Sequence, residues 1–232
     1  MKILAIETAT EACSAALYND GEVTHRYELA PRKHTQLILP MLDEVLNESD
    51  VSKSELDAIA FGRGPGAFTG LRIAVGIAQG LALSLDKPLI AISTLAAMAQ
   101  QILETQNVTN TQMIPAIDAR MSEVYWGHYA NREGEAVLTS EEQVSIPELL
   151  LQQQVPSLIF GSGWEAYHAE FLAQPADWVA GSTNDVFPSA EHIATLASYA
   201  WQRGELIDAA DAEPTYLRNN VAKKKADQGS KN

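Results

Sequence analysis

One stretch constrains this chain more than any other, Phe61-Gly62-Arg63-Gly64-Pro65-Gly66-Ala67-Phe68-Thr69-Gly70 and onward to Leu85. A short apolar run, Leu56 to Phe61, leads into it with the pattern of a buried strand. Three glycines and a proline between Gly62 and Gly66 then predict a turn that no regular element can hold. A helix follows, beginning near Phe68 or Thr69, with Thr69 able to cap it.

Residues four apart share a ridge on a helix surface. One ridge of this helix is Gly70, Ala74, Ala78 and Ala82; the next is Gly76, Gly80 and Ser84; beside them run Ile73, Ile77, Leu81 and Leu85. A mid-helix glycine costs roughly 1 kcal/mol relative to alanine, and close backbone approach is the usual return for it. Small ridges flanked by large aliphatics suit packing on the chain's own sheet and equally suit contact with a second subunit. Gly70, Ile73, Ala74, Ile77, Ala78 and Leu81 are therefore the candidate partner or dimer contacts. The run falls short of the ~20 apolar residues a membrane span needs, and it carries Arg72 and Gln79. The loop lacks the Lys-Ser/Thr of a P-loop and the spacing of a dinucleotide fingerprint. Backbone N–H groups ahead of a helix can hold an anion, while a tight strand-to-helix turn accounts for the same glycines.

The chain has 232 residues, 46% of them hydrophobic, enough for one large or two small domains. Met1-Lys2-Ile3-Leu4 runs straight into a strand pattern without a cleavage site, and Cys13 is the one cysteine. Both predict a cytoplasmic protein without a signal peptide or an internal disulfide. The formal net charge of -14 argues against this chain alone gripping a nucleic-acid backbone, so any tRNA contact is expected to be indirect. Lys223-Lys224-Lys225 and Lys231 form a small basic tail against that trend.

Taken in order, Lys2–Glu7, Ala12–Tyr18 and Glu22–Leu29 predict a three-strand meander, with a hairpin turn at Asn19-Asp20-Gly21. Arg32–Asn47 predicts a helix, Ser54–Phe61 a strand, then come the glycine loop and its helix, a strand at Leu89–Ile92 and a helix at Thr94–Thr105. This is the ribonuclease H-like order found in actin and sugar-kinase halves. The pattern then restarts: Ile3-Leu4-Ala5-Ile6-Glu7 recurs as Ile114-Pro115-Ala116-Ile117-Asp118, and Tyr18 recurs as Tyr129. Two lobes follow, 1–108 and a less regular 109–232, with a boundary near Asn107 to Gln112. In the second, strands are expected at Glu123–Tyr129, Ala136–Val144, Ser157–Phe160 and Trp178-Val179. Helices are expected at Ile146–Gln153, Trp164–Leu172 and Ser189–Arg203, the last capped by Ser189.

In two-half folds of this type an acid at the end of the first strand of each half faces one cleft. Glu7 and Asp118 hold those positions, and with Thr8 they are the nucleotide-cleft candidates. The turns after them, Thr8-Ala9-Thr10 and Ala119-Arg120-Met121, lack the glycines that let backbone amides reach phosphates. The alternative is that both acids cap turns, with Arg120 an ion-pair partner of Asp118. No two of the five histidines stand three, four or five apart, so none supplies a local metal pair. His34 reads as polar helix surface, and no Gly-x-Ser-x-Gly is present. No catalytic or metal-binding residue is assigned.

Ile3-Leu4-Ala5-Ile6-Glu7-Thr8-Ala9-Thr10, Gly62 through Ile73, Ile117 through Trp126 and Tyr216-Leu217-Arg218 together resemble the bacterial TsaB (YeaZ) family. The resemblance implies the two-lobed actin/Hsp70/sugar-kinase fold. It also implies a role in forming N6-threonylcarbamoyladenosine at position 37 of tRNAs that read codons beginning with adenosine. By this resemblance the chain is a non-catalytic subunit with no cofactor of its own. A TsaD-like paralogue holds the metal and transfers the group, a TsaE-like ATPase joins the pair, and homodimers form through the glycine-loop helix and the first-half helix. Many members carry aspartate where this chain has Glu7. The rival is an ATP-dependent kinase or metallopeptidase-like enzyme of the same fold using Glu7 and Asp118.

Overall fold

The computed structural model describes residues 1–106, 108, 111–152, 155–172 and 186–218. The strand expected at Trp178-Val179 and the tail lysines lie outside these residues. The first sheet holds β1 (Lys2–Glu7), β2 (Ala12–Asn19), β3 (Glu22–Leu29), β4 (Ala58–Gly64) and β5 (Leu89–Ser93), in the order β3-β2-β1-β4-β5. The meander is antiparallel, and β1, β4 and β5 run parallel. Parallel neighbours need crossovers, supplied by α1 (His34–Glu48) and α2 (Phe68–Leu85); α3 (Thr94–Thr105) leaves the last strand.

The second sheet repeats the plan. β6 (Gln112–Arg120) pairs antiparallel with β7 (Glu123–Trp126) and parallel with β11 (Ser157–Phe160), as β1 does with β2 and β4. β8 (Tyr129–Arg132), β9 (Glu135–Leu138) and β10 (Gln143–Ser145) complete the order β10-β7-β6-β8-β9, with β11 on β6. The fold is thus the duplicated ribonuclease H-like one. The strand expected over Glu123–Tyr129 is two strands, broken at Gly127-His128. The break turns Tyr129 inward, where its side chain is fully buried and its hydroxyl reaches Glu142. The helix expected over Trp164–Leu172 is likewise two short ones, α4 (Ser162–Ala166) and α5 (His168–Leu172).

The division at 109 does not hold in space. The helix capped by Ser189, α6 (Ala190–Gln202), lies on the first sheet, where Ile193, Ala194, Leu196 and Ala197 join Ile3, Ala5, Ala60 and Ile90 in one buried cluster. A sheet with parallel strands needs both faces covered. Helices α1 and α2 cover one face, and only α6 is available for the other.

The glycine loop follows from what it must clear. Strand β4 runs on through Gly62-Arg63-Gly64, so the turn proper is only Pro65-Gly66-Ala67. A Cβ on Gly62 would stand 1.9 Å from Glu7 Oε2, on Gly66 2.5 Å from the Ala9 carbonyl oxygen, and on Gly70 2.0 Å from the Thr8 carbonyl oxygen. Three glycines thus let β4 and α2 lie on the turn that leaves β1. Two bonds close the contact: the Ala67 N–H donates to the Ala9 carbonyl at 2.7 Å, and the Thr8 hydroxyl to the Gly70 carbonyl at 2.7 Å. Thr69 is not the cap; Ala67 holds that position without a side-chain bond, and Thr69 is exposed.

Helix α2 has two unlike faces. Gly70, Ala74, Ala78 and Ala82 are buried, with the three alanines packed among Leu4, Ile6, Ile59 and Phe61 of the sheet. Gly76 and Gly80 face outward, and a Cβ there would meet nothing within 4 Å. By length and composition α2 is apolar enough to cross a membrane; its alanine side is spent on the sheet instead.

This contrast yields a prediction. Gly70→Ala should lower stability by about 1–3 kcal/mol, because the added methyl meets backbone that cannot retreat. Gly80→Ala should raise it by roughly 0.5–1 kcal/mol through helix propensity alone. Urea midpoints of the two variants check this; shifts of the same sign would contradict it.

Candidate functional site

A cleft of about 1480 Å³ separates the two sheets. One wall is the β1–β2 turn with the first turns of α1 and α2, including Thr10, His34 and Phe68; the other is the end of β6, with Asp118 and Arg120. This is where the two strand-end acids were expected to meet, and the structure does not bring them together.

Glu7 is fully buried behind the cleft wall. Its Oε1 accepts the Ala9 N–H at 2.5 Å, and its Oε2 accepts the Thr94 hydroxyl at 3.1 Å. Desolvation pushes its carboxyl from the ordinary 4.5 up to about 7, against the opposing pull of the Ala9 N–H, the Thr94 hydroxyl and the Thr8 N–H. Thr8 is also fully buried, its hydroxyl on Gly70. Asp118 does line the cleft, but its oxygens are taken. Oδ1 accepts the Arg120 N–H at 2.8 Å and the Tyr167 hydroxyl at 3.1 Å, and Oδ2 accepts Arg120 Nη1 at 2.9 Å. Asp118 caps the turn Arg120-Met121-Ser122, whose φ angles are 62°, 58° and 59°.

His34 is a correction. It is not polar surface but 8% exposed, with ring Nε2 at 2.9 Å from the Thr10 carbonyl oxygen and 3.2 Å from that of Ala12. Those two carbonyls require Nε2 to carry the proton, so His34 ties α1 to the β1–β2 turn.

A buried polar node joins the lobes, and no motif announced it. Glu142, in the β9–β10 connection, is 5% exposed. Its Oε1 accepts the Tyr129 hydroxyl at 2.7 Å and the Ser93 hydroxyl, and its Oε2 accepts Arg63 Nη2 at 3.3 Å. Ser93 Oγ also accepts the Leu95 and Ala96 N–H groups and so caps α3. Arg63 Nη1 donates to the Thr215 hydroxyl at 2.7 Å, and the Arg63 carbonyl accepts the Thr215 N–H at 2.7 Å. The glycine loop thus carries the arginine that reaches the second lobe. Burial and the Glu142 carboxylate together hold the Tyr129 hydroxyl proton well above the usual phenol range.

Beyond α6 the chain is a strap along α2. Gln79 Nε2 donates to the Ala209 and Ala212 carbonyls at 2.9 and 3.2 Å. Tyr216 lies against Phe68, ring centroids 5.6 Å apart, and Arg72 covers the Phe68 ring at 3.7 Å. Arg218 reaches the far wall, donating to the Ala119 and Arg120 carbonyls at 3.1 and 3.4 Å and to Glu123.

The candidate contact residues divide. Gly70, Ala74 and Ala78 are covered by the chain's own lobe; Ile73, Ile77 and Leu81 are half-buried at the border of the exposed face. That face carries Phe68, Arg72, Gly76, Gly80 and Leu83 instead. Among the described residues no group of three or more His, Cys, Asp or Glu could hold a metal ion.

Comparison with known proteins agrees with this geometry. The family model described as "TsaD: tRNA N6-adenosine threonylcarbamoyltransferase" matches residues 22–226. The "tRNA threonylcarbamoyladenosine biosynthesis protein TsaB" of Escherichia coli (strain K12) is 44% identical, over 97% of this chain and 98% of that one. Its namesake in Haemophilus influenzae is 43% identical, over 97% of each chain. The tRNA N6-adenosine threonylcarbamoyltransferase of Chlorobium phaeobacteroides is 36% identical over 42% of this chain and 32% of that one. The crystal structure of YeaZ from Pseudomonas aeruginosa superposes with a TM-score of 0.83 at 43% identity, covering 93% of this chain and 99% of that one.

The buried Glu7 makes stability pH-dependent with a definite sign. Its folded value lies above its unfolded one, so the native state keeps a proton that the unfolded chain has lost. Its contribution is therefore fully present below about pH 4.5 and is lost as pH rises to about 7. The full loss is on the order of 3 kcal/mol. Glu7→Gln, which mimics the protonated form, should flatten the stability profile between those pH values and gain most at pH 8. Urea unfolding at half-unit pH steps checks it; an unchanged slope in the variant would contradict the assignment.

Proposed function

The chain belongs to the TsaB (YeaZ) family of tRNA threonylcarbamoyladenosine biosynthesis proteins, and from that membership we propose that it acts there as a non-catalytic subunit. Its working part in this reading is the outer face of α2. A TsaD-like transferase docks there, a TsaE-like ATPase joins the assembly, and ATP and metal belong to those partners. In isolation a second copy takes the same face.

The observation that carries this reading is the pair Gly76 and Gly80. Neither serves the chain's own fold, since a Cβ at either would meet nothing within 4 Å. Each costs roughly 1 kcal/mol of helix propensity. A use outside the chain, namely the close approach of another backbone, accounts for both. Around them stand Phe68, 54% exposed, and Leu83, 73% exposed. The helix has no acidic residue and one charge, Arg72, in a chain of net charge -14. This face is thus the part of the surface that another protein meets with the least desolvation of charge.

The non-catalytic part rests on the site. Glu7 and Thr8 are enclosed, and Asp118 is consumed by Arg120 and Tyr167. An ATP-dependent kinase or metallopeptidase-like enzyme of the same fold draws support from the cleft alone. Incubation with ATP and magnesium, or with peptides, separates the two: no turnover above buffer is expected. Turnover abolished by Asp118→Asn would establish the enzyme instead.

Gly80→Leu tests the face. It should weaken association by about 5- to 150-fold, the equivalent of roughly 1–3 kcal/mol of overpacking at a close-packed seam. The thermal midpoint should hold or rise. Light scattering for self-association and a calorimetric titration against a TsaD-class transferase read it out. Affinity unchanged in both would remove the helix face from the account.

A further inference from the structure

The turn that Asp118 caps stores strain without using it for the fold. Arg120, Met121 and Ser122 all take the left-handed backbone conformation, at φ 62°, 58° and 59°. Residues with side chains avoid this region; glycine and asparagine enter it most easily. The chain nevertheless places arginine, methionine and serine there. Met121 is 77% exposed, the Arg120 side chain 78%. The one printed contact of the Met121 side chain is Arg218 Nη1, at 3.7 Å from its sulfur.

The strain is held from three directions. Asp118 accepts the Arg120 N–H, Tyr167 donates to Asp118, and Arg218 donates to the Ala119 and Arg120 carbonyls. The result is a rigid projection bearing a large apolar side chain beside a cation. A preformed loop of this kind loses little conformational entropy when it binds.

Its position extends the α2 face. Met121 touches Arg218, Tyr216 stands two residues before Arg218, and Tyr216 lies on Phe68 at the start of α2. A partner lying along α2 and running past its N-terminal end arrives at this turn. Arg72 marks the path; its guanidinium rests on Phe68 and Tyr216 with no carboxylate partner among the described residues.

We infer that Arg120-Met121-Ser122 is a second docking point for the protein partner of the α2 face, and that it inserts Met121 into an apolar socket rimmed by carboxylates that meet Arg120 and Arg72. The inference rests on the α2 reading. Protein is favoured over RNA because Glu11, Asp118 and Glu123 sit among these cations and would repel phosphates.

The test uses the full chain titrated with a TsaD-class transferase. Met121→Asn removes the apolar group and relaxes the backbone, so its thermal midpoint should hold or rise while the Kd rises at least about tenfold, as for an interface anchor. Met121→Gln keeps the side-chain length and should lose affinity likewise; it decides the matter if Met121→Asn folds poorly. Values within twofold of the unmodified chain in both variants, with Gly80→Leu still disruptive, overturn this inference and spare the α2 reading. No effect of Gly80→Leu either, or no binding by the unmodified chain, overturns both. Arg120→Ala that weakens tRNA retention by the assembled complex while transferase affinity holds assigns the turn to RNA and overturns the inference.

Discussion

Three glycines at spacing four seat β4 and α2 on the turn that leaves β1. Gly62 lies over the Glu7 carboxylate, Gly66 over Ala9 and Gly70 over the Thr8 carbonyl. No other residue fits at any of the three, because the neighbouring atoms are backbone or an enclosed carboxylate. The contact fixes the rotation of α2 about its own axis. That rotation sends Gly70, Ala74 and Ala78 to the sheet and leaves Gly76 and Gly80 outside. The same contact buries Glu7, which raises its carboxyl to about 7 and removes it from the cleft. One packing constraint therefore shapes the partner face and silences half of an ancestral site.

The loop has a second role through the one side chain between its first two glycines. Arg63 leaves β4 toward the second lobe and meets Glu142, a carboxylate already engaged by Tyr129 and Ser93. Burying a charge costs several kcal/mol unless it is paired and hydrogen-bonded, and Glu142 has a cation and two hydroxyl donors. The strap closes the arrangement through Thr215 on Arg63 and Arg218 on the β6–β7 turn. Both lobes are thus tied to the element that carries the α2 face.

Much of the architecture was legible because it is local. Hydrophobic period, the Asp20-Gly21 turn, Ser189 at the head of α6 and the recurrence of Ile3–Glu7 at Ile114–Asp118 each signal structure within a few residues. The failures share the opposite property. Which small ridge of α2 faces inward depends on the close approach of residues 7–9, more than fifty positions upstream. The return of α6 to the first sheet follows from that sheet's need for a second cover. The burial of His34 is decided by the carbonyls of Thr10 and Ala12, on another element. Glu142 stands 79 residues from Arg63, and nothing in its neighbourhood distinguishes it from a surface acid. The left-handed Arg120–Ser122 turn has no glycine to announce it.

Hydrogen exchange of the chain alone and saturated with a TsaD-class transferase tests the division of α2 into an inner and an outer face most directly. Binding should slow exchange across 68–85 and 119–123 and leave the second-lobe strands β8, β9 and β11 unchanged. Added protection confined to the second lobe, with the amides of α2 unaffected, would contradict the account.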